Sequence, residues 1–216
     1  MKIEIWSDII CPFCYIGKRN FEKGLKEFTD KDAIKVEWKS YLLDPSAPKT
    51  PNEKTYVQIL ADKYGWSLEK AQQNIDNMSN MARSAGLDYQ LEHIQRINTV
   101  DLHKIIQYAK TKGLGDQMEE AFFKAYFVDA LDLSQEQVLK EILRSIGLTK
   151  TDLEEALHNE NYEKAMQADI AEAKQIGLQG VPFFVLHRKY AISGAQSPEG
   201  FLEAIETAYK EWSEKN

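Results

Sequence analysis

From Asn52 to Val181 the chain contains no proline, while Pro45, Pro48 and Pro51 crowd the stretch DPSAPKTP just before it. Proline is the residue a helix interior tolerates least, so the long span is open to helices and the cluster in front of it reads as a linker. The apolar spacing within the span is helical almost throughout. Ser67 can cap a helix carrying Leu68, Ala71, Ile75, Met78 and Ala82; Leu102, Ile105, Ile106 and Ala109 mark another, and Met118, Ala121, Phe122, Ala125 and Val128 a third. Ser134 with Gln137 and Thr151 with Glu154 form capping-box pairs that open two more, Gly147 follows the first of these, and a last long helix runs from Tyr162 to Ile176 and stops at Gly177.

Strand character is confined to the two ends. Lys2 to Ser7 alternates Ile3 and Ile5 against Lys2 and Glu4, the period of a strand with one better buried face. A helix follows, with Cys11, Pro12 and Phe13 in its first turn and Phe21, Leu25 and Phe28 on one side. Gly17 and Gly24, on or beside that side, are small enough to let a sheet approach. IKVEWKSYLL supplies a second alternating strand. Late in the chain VPFFVLHRKYAISG reads as a hairpin turning near Arg188 and Lys189, and SPEGFLEAIETAYKEW as a helix capped by Ser197 with Pro198 at its start. The expected class is α/β, in the order strand, helix, strand, helical insertion, hairpin, helix. Residues 1–48 and 178–216 form the outer domain and residues 49–177 the inserted helical one.

Several functions fall away on composition. Twenty-seven basic against 34 acidic residues give a net charge of −7, which is no footprint for nucleic acid or an anionic membrane. No apolar run is long enough to span a membrane. The N-terminus goes from Met1 straight into a strand, without the basic start, apolar stretch and cleavage site of a secretory leader, so a cytoplasmic location is expected.

The two cysteines, Cys11 and Cys14, lie in SDIICPFCYIGKR. A tetrahedral zinc site would have to recruit two of His93, His103, His158 and His187, none spaced as a His-x3-5-His pair, so no metal is expected. A structural disulfide closing so short a ring would remove little chain entropy. Redox chemistry remains. A thiolate attacks a disulfide and a thiol does not, and a helix start favours the thiolate through its dipole and free amides. Cys11 at that start is the candidate nucleophile. Cys14, one turn inside and the more buried, is the candidate resolving thiol, acting through a mixed disulfide on Cys11.

Gly180 to Phe184, GVPFF, has two readings: a turn before a strand edge that needs no donor, or a cis Val181–Pro182 bond that turns the Val181 backbone toward Cys11, where an extended peptide could add as a strand.

Taken together, SDIICPFCYIGK, GVPFFVL and ISGAQSPEGF around a helical block resemble the DsbA family of thiol-disulfide oxidoreductases, closest to its FrnE-like cytosolic branch. The resemblance spans nearly the whole chain. It implies a thioredoxin-like fold with a helical insertion, Cys11 and Cys14 as the active-site pair, and Pro182 as the cis-proline. Pro12, Phe13 and Val181 would then line the substrate site, joined by Asn98, Thr99 and His103 from the segment NTVDLHK, which in this branch faces the active site. Taken alone, His103 reads as a histidine on a helix surface. Periplasmic members typically carry histidine where this chain has Phe13. Phenylalanine offers a thiolate neither charge nor donor, so a less oxidising couple is expected.

The implied function is a dithiol enzyme that reduces, forms or isomerises disulfides in proteins or small molecules. Its only redox group would be the Cys11–Cys14 pair, with glutathione as a candidate co-substrate. The alternative is a glutathione-dependent isomerase or transferase of the 2-hydroxychromene-2-carboxylate isomerase or kappa-class type. Those relatives generally replace one or both cysteines, and both are present here. A third reading is a helical binding module with an inert cysteine pair. Monomer and homodimer stay open.

Overall fold

The computed structural model describes residues 1–51 and 54–214. Asn52 and Glu53, which open the proline-free span, lie outside the described residues. The chain forms two compact units, one of Met1–Leu43 with Lys164–Asn216 and the other of Asp44–Glu163.

The first unit is built on a four-stranded mixed sheet. Strand β1 (Lys2–Ser7) leads through helix α1 (Pro12–Glu27) to β2 (Lys35–Ser40), and the chain returns late as β3 (Phe183–Leu186) and β4 (Tyr190–Ser193). The strand order is β2-β1-β3-β4, with β1 parallel to β2 and antiparallel to β3. This is the thioredoxin-like β-α-β and β-β-α arrangement expected from the two ends. Helix α9 (Pro198–Ser213) starts as its sequence predicts, with the Ser197 hydroxyl accepting from the Gly200 N–H and Pro198 in the first turn.

The sheet buries both faces. On one, Ile3, Ile5 and Trp38 pack with Phe21 of α1 and Phe184, Phe201 and Ile205, and the Phe184 and Phe201 rings meet edge to face at 4.6 Å. On the other, the nominally polar side of β1 is buried as well: Glu4 is 1% exposed and Trp6 is fully enclosed. Helix α8 (Glu160–Gln175) covers them. The Trp6 indole N–H donates to the Asp169 carbonyl at 3.0 Å, and Lys39 reaches the carboxylates of Asp169 and Glu172 at 3.0 and 3.1 Å. Arg188 closes the cluster by pairing with Glu4 and Glu172. Sequence spacing ends the helical insertion at residue 177, whereas the compact units divide at residue 163, because these contacts bind α8 to the sheet.

The two helix glycines serve helix and loop packing rather than the sheet. A Cβ at Gly24 would lie 2.5 Å from the Pro198 carbonyl, so α1 and α9 touch there backbone to backbone. One at Gly17 would lie 3.0 Å from the Pro182 ring.

In the second unit α2 (Tyr56–Tyr64) packs on α3 (Leu68–Ala85), and α4 (Val100–Thr111) lies against α5 (Gly115–Phe123) and α7 (Lys150–His158), with α6 (Glu136–Ser145) beside α7. Ser67 caps α3 as expected. The two proposed capping boxes do not form: α7 starts two residues earlier on a Thr149–Asp152 box, and the Ser134 hydroxyl turns back to Asp132, leaving Gln135 at the start of α6 without a side-chain cap. The helix expected to run to Val128 becomes a π-helical turn over Lys124–Val128. At this wider turn the Phe127 carbonyl accepts the Gln90 N–H and the Tyr126 hydroxyl donates to the Gln95 carbonyl, both at 2.7 Å.

Candidate active site

The turn between β1 and α1 sets the cysteines. The Asp8 carbonyl accepts the Cys11 N–H at 3.0 Å, and the Asp8 carboxylate accepts the Leu43 N–H at 2.7 Å, which ties the turn to the chain leaving β2. Cys11 is the N-cap residue of α1, in extended conformation, with Pro12 following and no acidic residue in the first turn. The helix thus presents its positive pole to a sulfur where serine or aspartate would ordinarily accept amide hydrogens.

Both sulfurs are free thiols, and both are enclosed: Cys11 is 3% and Cys14 1% exposed. Burial pushes the Cys14 thiol well above its ordinary pKa, and the hydrogen bond and charge of the adjacent Cys11 push the same way. The Asp8 backbone N–H and the Ser7 hydroxyl oppose them.

Val181–Pro182 is cis. The Val181 carbonyl accepts a hydrogen bond from the Cys11 thiol at 3.4 Å, and the Pro182 carbonyl accepts the Gly194 N–H at 2.9 Å, fastening the loop to β4. Cys11, Cys14, Pro12, Val181 and Pro182 therefore come together. Phe13, which with Pro12 separates the two cysteines in sequence, is 37% exposed.

Asn98, Thr99 and His103 belong to the helical unit. The Asn98 amide donates to the Pro45 and Ala47 carbonyls at 3.4 and 3.3 Å, and its oxygen accepts the Val100 N–H at 3.0 Å. Thr99 starts α4, and His103 is 1% exposed, not on the helix surface. Ser7 and Asp8, both fully buried against the pair, were not among the expected site residues. Their signal was two polar residues in succession where a strand ends beside a reactive cysteine. Among the described residues no group of three or more His, Cys, Asp or Glu side chains is placed to hold a metal ion. No described helix is long and apolar enough to cross a membrane.

A family model, the DSBA-like thioredoxin domain, matches residues 2–206. The chain belongs to this family. Among solved structures, this DsbA-like protein is similar to a probable DsbA oxidoreductase from Streptomyces coelicolor, with 38% identity, 98% of this chain and 91% of that one covered, and a TM-score of 0.92. The cytosolic disulfide reductase DsbM from Pseudomonas aeruginosa, in a structure with GSH, shares the fold at 15% identity, covering 97% and 100% of the two chains with a TM-score of 0.68. A 2-hydroxychromene-2-carboxylate isomerase does so at 14%, covering 100% and 98% with a TM-score of 0.69.

Proposed function

We propose that the protein is a cytoplasmic thiol-disulfide oxidoreductase of the FrnE-like kind, working through a mixed disulfide on Cys11. The observation that carries this is the placement of two free sulfurs one helical turn apart at the start of α1, with the Val181 carbonyl of the cis-proline loop on the outer one. Cys11 as thiolate attacks a substrate disulfide, forming one S–S bond and expelling one substrate thiolate. Cys14 then attacks the Cys11 sulfur, and the second substrate thiolate leaves. The substrate gains two electrons and two protons, and the enzyme is left as the Cys11–Cys14 disulfide.

Phe13 supplies no charge to the pair, which favours the reducing or isomerising direction. A thiol of the glutathione type is a fitting donor, in keeping with the GSH in the DsbM structure. Pro12, Phe13 and Val181 would contact the substrate next to Cys11, and Asn98, Thr99 and His103 are carried as further contacts on the family resemblance. The isomerase reading shares the fold, yet it leaves a second buried sulfur without a task.

Insulin reduction by wild type, Cys11→Ser and Cys14→Ser tests the cycle. Activity is expected to vanish in Cys11→Ser, while Cys14→Ser accumulates a substrate trapped on Cys11. Turnover retained in Cys11→Ser would sink the dithiol mechanism.

A further inference from the structure

Ser7 closes β1, its backbone held in register with Ser40 and its carbonyl accepting the Tyr41 N–H at 2.9 Å. The side chain is fully buried, and its hydroxyl makes no hydrogen bond of ordinary geometry among the described residues. A buried hydroxyl in that condition is destabilising and calls for a reason. Its surroundings supply one: the oxygen stands beside the Cys14 sulfur, which the Asp8 backbone N–H also meets. Asp8 cannot turn away, because its carbonyl holds Cys11 and its carboxylate holds Leu43.

We propose that the Ser7 hydroxyl and the Asp8 backbone N–H form a two-donor hole that receives Cys14 as a thiolate in the resolving step. The inference rests on the dithiol reading above and adds the group that serves its second half. A thiol sulfur is a weak acceptor, so the hydroxyl gains little from it in the resting dithiol; a thiolate is a charged acceptor and engages both donors. In the step itself Cys14 has already given its proton to solvent. Its sulfur attacks the Cys11 sulfur, the Cys11–Cys14 bond forms, the bond from Cys11 to the substrate sulfur breaks, and that sulfur departs with the electron pair and takes a proton from water. Ser7 keeps its own proton throughout. Burial is what resists ionisation of Cys14, and the two donors are what the fold sets against it.

The test isolates one sulfur. In Cys11→Ser protein Cys14 is the sole thiol, and the pH profile of its alkylation by iodoacetamide reports its ionisation with no substrate present. Asp8, whose backbone meets Cys14, has its carboxylate engaged by the Leu43 N–H. Adding Ser7→Ala is expected to move the profile upward by about one pH unit, the worth of one hydrogen bond to a charged sulfur. Ser7→Thr and Ser7→Val, of equal volume, repeat the comparison with and without the hydroxyl: the threonine protein should titrate like its parent and the valine protein like the alanine one. With Cys11 restored, Ser7→Ala should resolve a mixed disulfide with a model peptide about tenfold more slowly. A Cys14 profile unmoved by both alanine and valine overturns the proposal, even with insulin reduction still dependent on Cys11. Loss of that dependence would instead remove the dithiol reading and leave the alkylation result to stand by itself.

Discussion

Phe13 is the second of the two residues that separate the cysteines in sequence, and it is more than a third exposed whereas the cysteines are almost wholly enclosed. Phe13 stands in the first turn of α1, whose N-cap is Cys11, and a benzyl group offers a developing thiolate neither charge nor donor. Phe13→His would place a ring N–H there, stabilise the dithiol form relative to the disulfide and make the couple more oxidising. The reduction potential is expected to rise by at least about 30 mV, a tenfold change in the equilibrium constant. Equilibration in glutathione redox buffers, read by alkylation and gel shift, gives the value; an unchanged potential would show that Phe13 has no electronic influence. At this scale the sequence was informative about sulfur and poor about its supports. Two cysteines three apart at a helix start can be recognised by spacing. Ser7 and Asp8 act by being buried and by where their N–H and O–H groups point, and no spacing rule encodes that.

Helices α1 and α9 illustrate what an element's periodicity leaves unsaid. Phe21 and Phe201 announce apolar faces, but the closeness of approach is set at Gly24, where there is no Cβ to meet the Pro198 carbonyl 2.5 Å away. Gly24→Ala must therefore part the helices, and the strain outweighs the better helix propensity of alanine. Stability should fall by about 2 kcal/mol in urea unfolding. Helix α8 is held differently, by charges. Burial alone would raise the pKa of Glu172, but hydrogen bonds from Arg188 and Lys39 outweigh it and hold the group below its ordinary value of 4.5. A depressed carboxylate contributes stability that is complete above its unfolded pKa and is lost as pH falls through the folded one. The advantage of wild type over Glu172→Gln should thus be about 1 kcal/mol at neutral pH and shrink below pH 4.5. Parallel acid limbs in denaturation of the two proteins would contradict it. The sequence showed α8 as a helix and could not show this attachment, because Lys39 lies far in the chain from Asp169, Glu172 and Arg188 and all four look like a solvated surface.

For the whole chain, β1, α1, β2, the hairpin and α9 were legible because period-2 and period-3.6 patterns are local, and so was the helical character of the middle. The boundary was not: a helix looks alike whether it packs on its own unit or on the sheet. The π-helical turn at Lys124–Val128 was invisible for a related reason, since its cause is a segment around Gln90 and Gln95 that accepts and supplies hydrogen bonds across the fold. The middle unit, however, runs without interruption from Asp44 to Glu163 and carries its own fully buried residues, among them Ile105, Ala109, Phe122, Phe127 and Leu143. It also has internal ties that use neither end of the chain, such as the Asn98 amide on Pro45 and Ala47 and the Tyr108 hydroxyl on Asp152. A contiguous segment with a closed core of this size meets the conditions for folding alone. Expressed as residues 44–163, it should be helical by far-UV circular dichroism, disperse its amide NMR signals and melt cooperatively. A gradual, featureless melt would mean that its core depends on the sheet-bearing unit and that the helical block is an extension of one domain, not an insertion with a stability of its own.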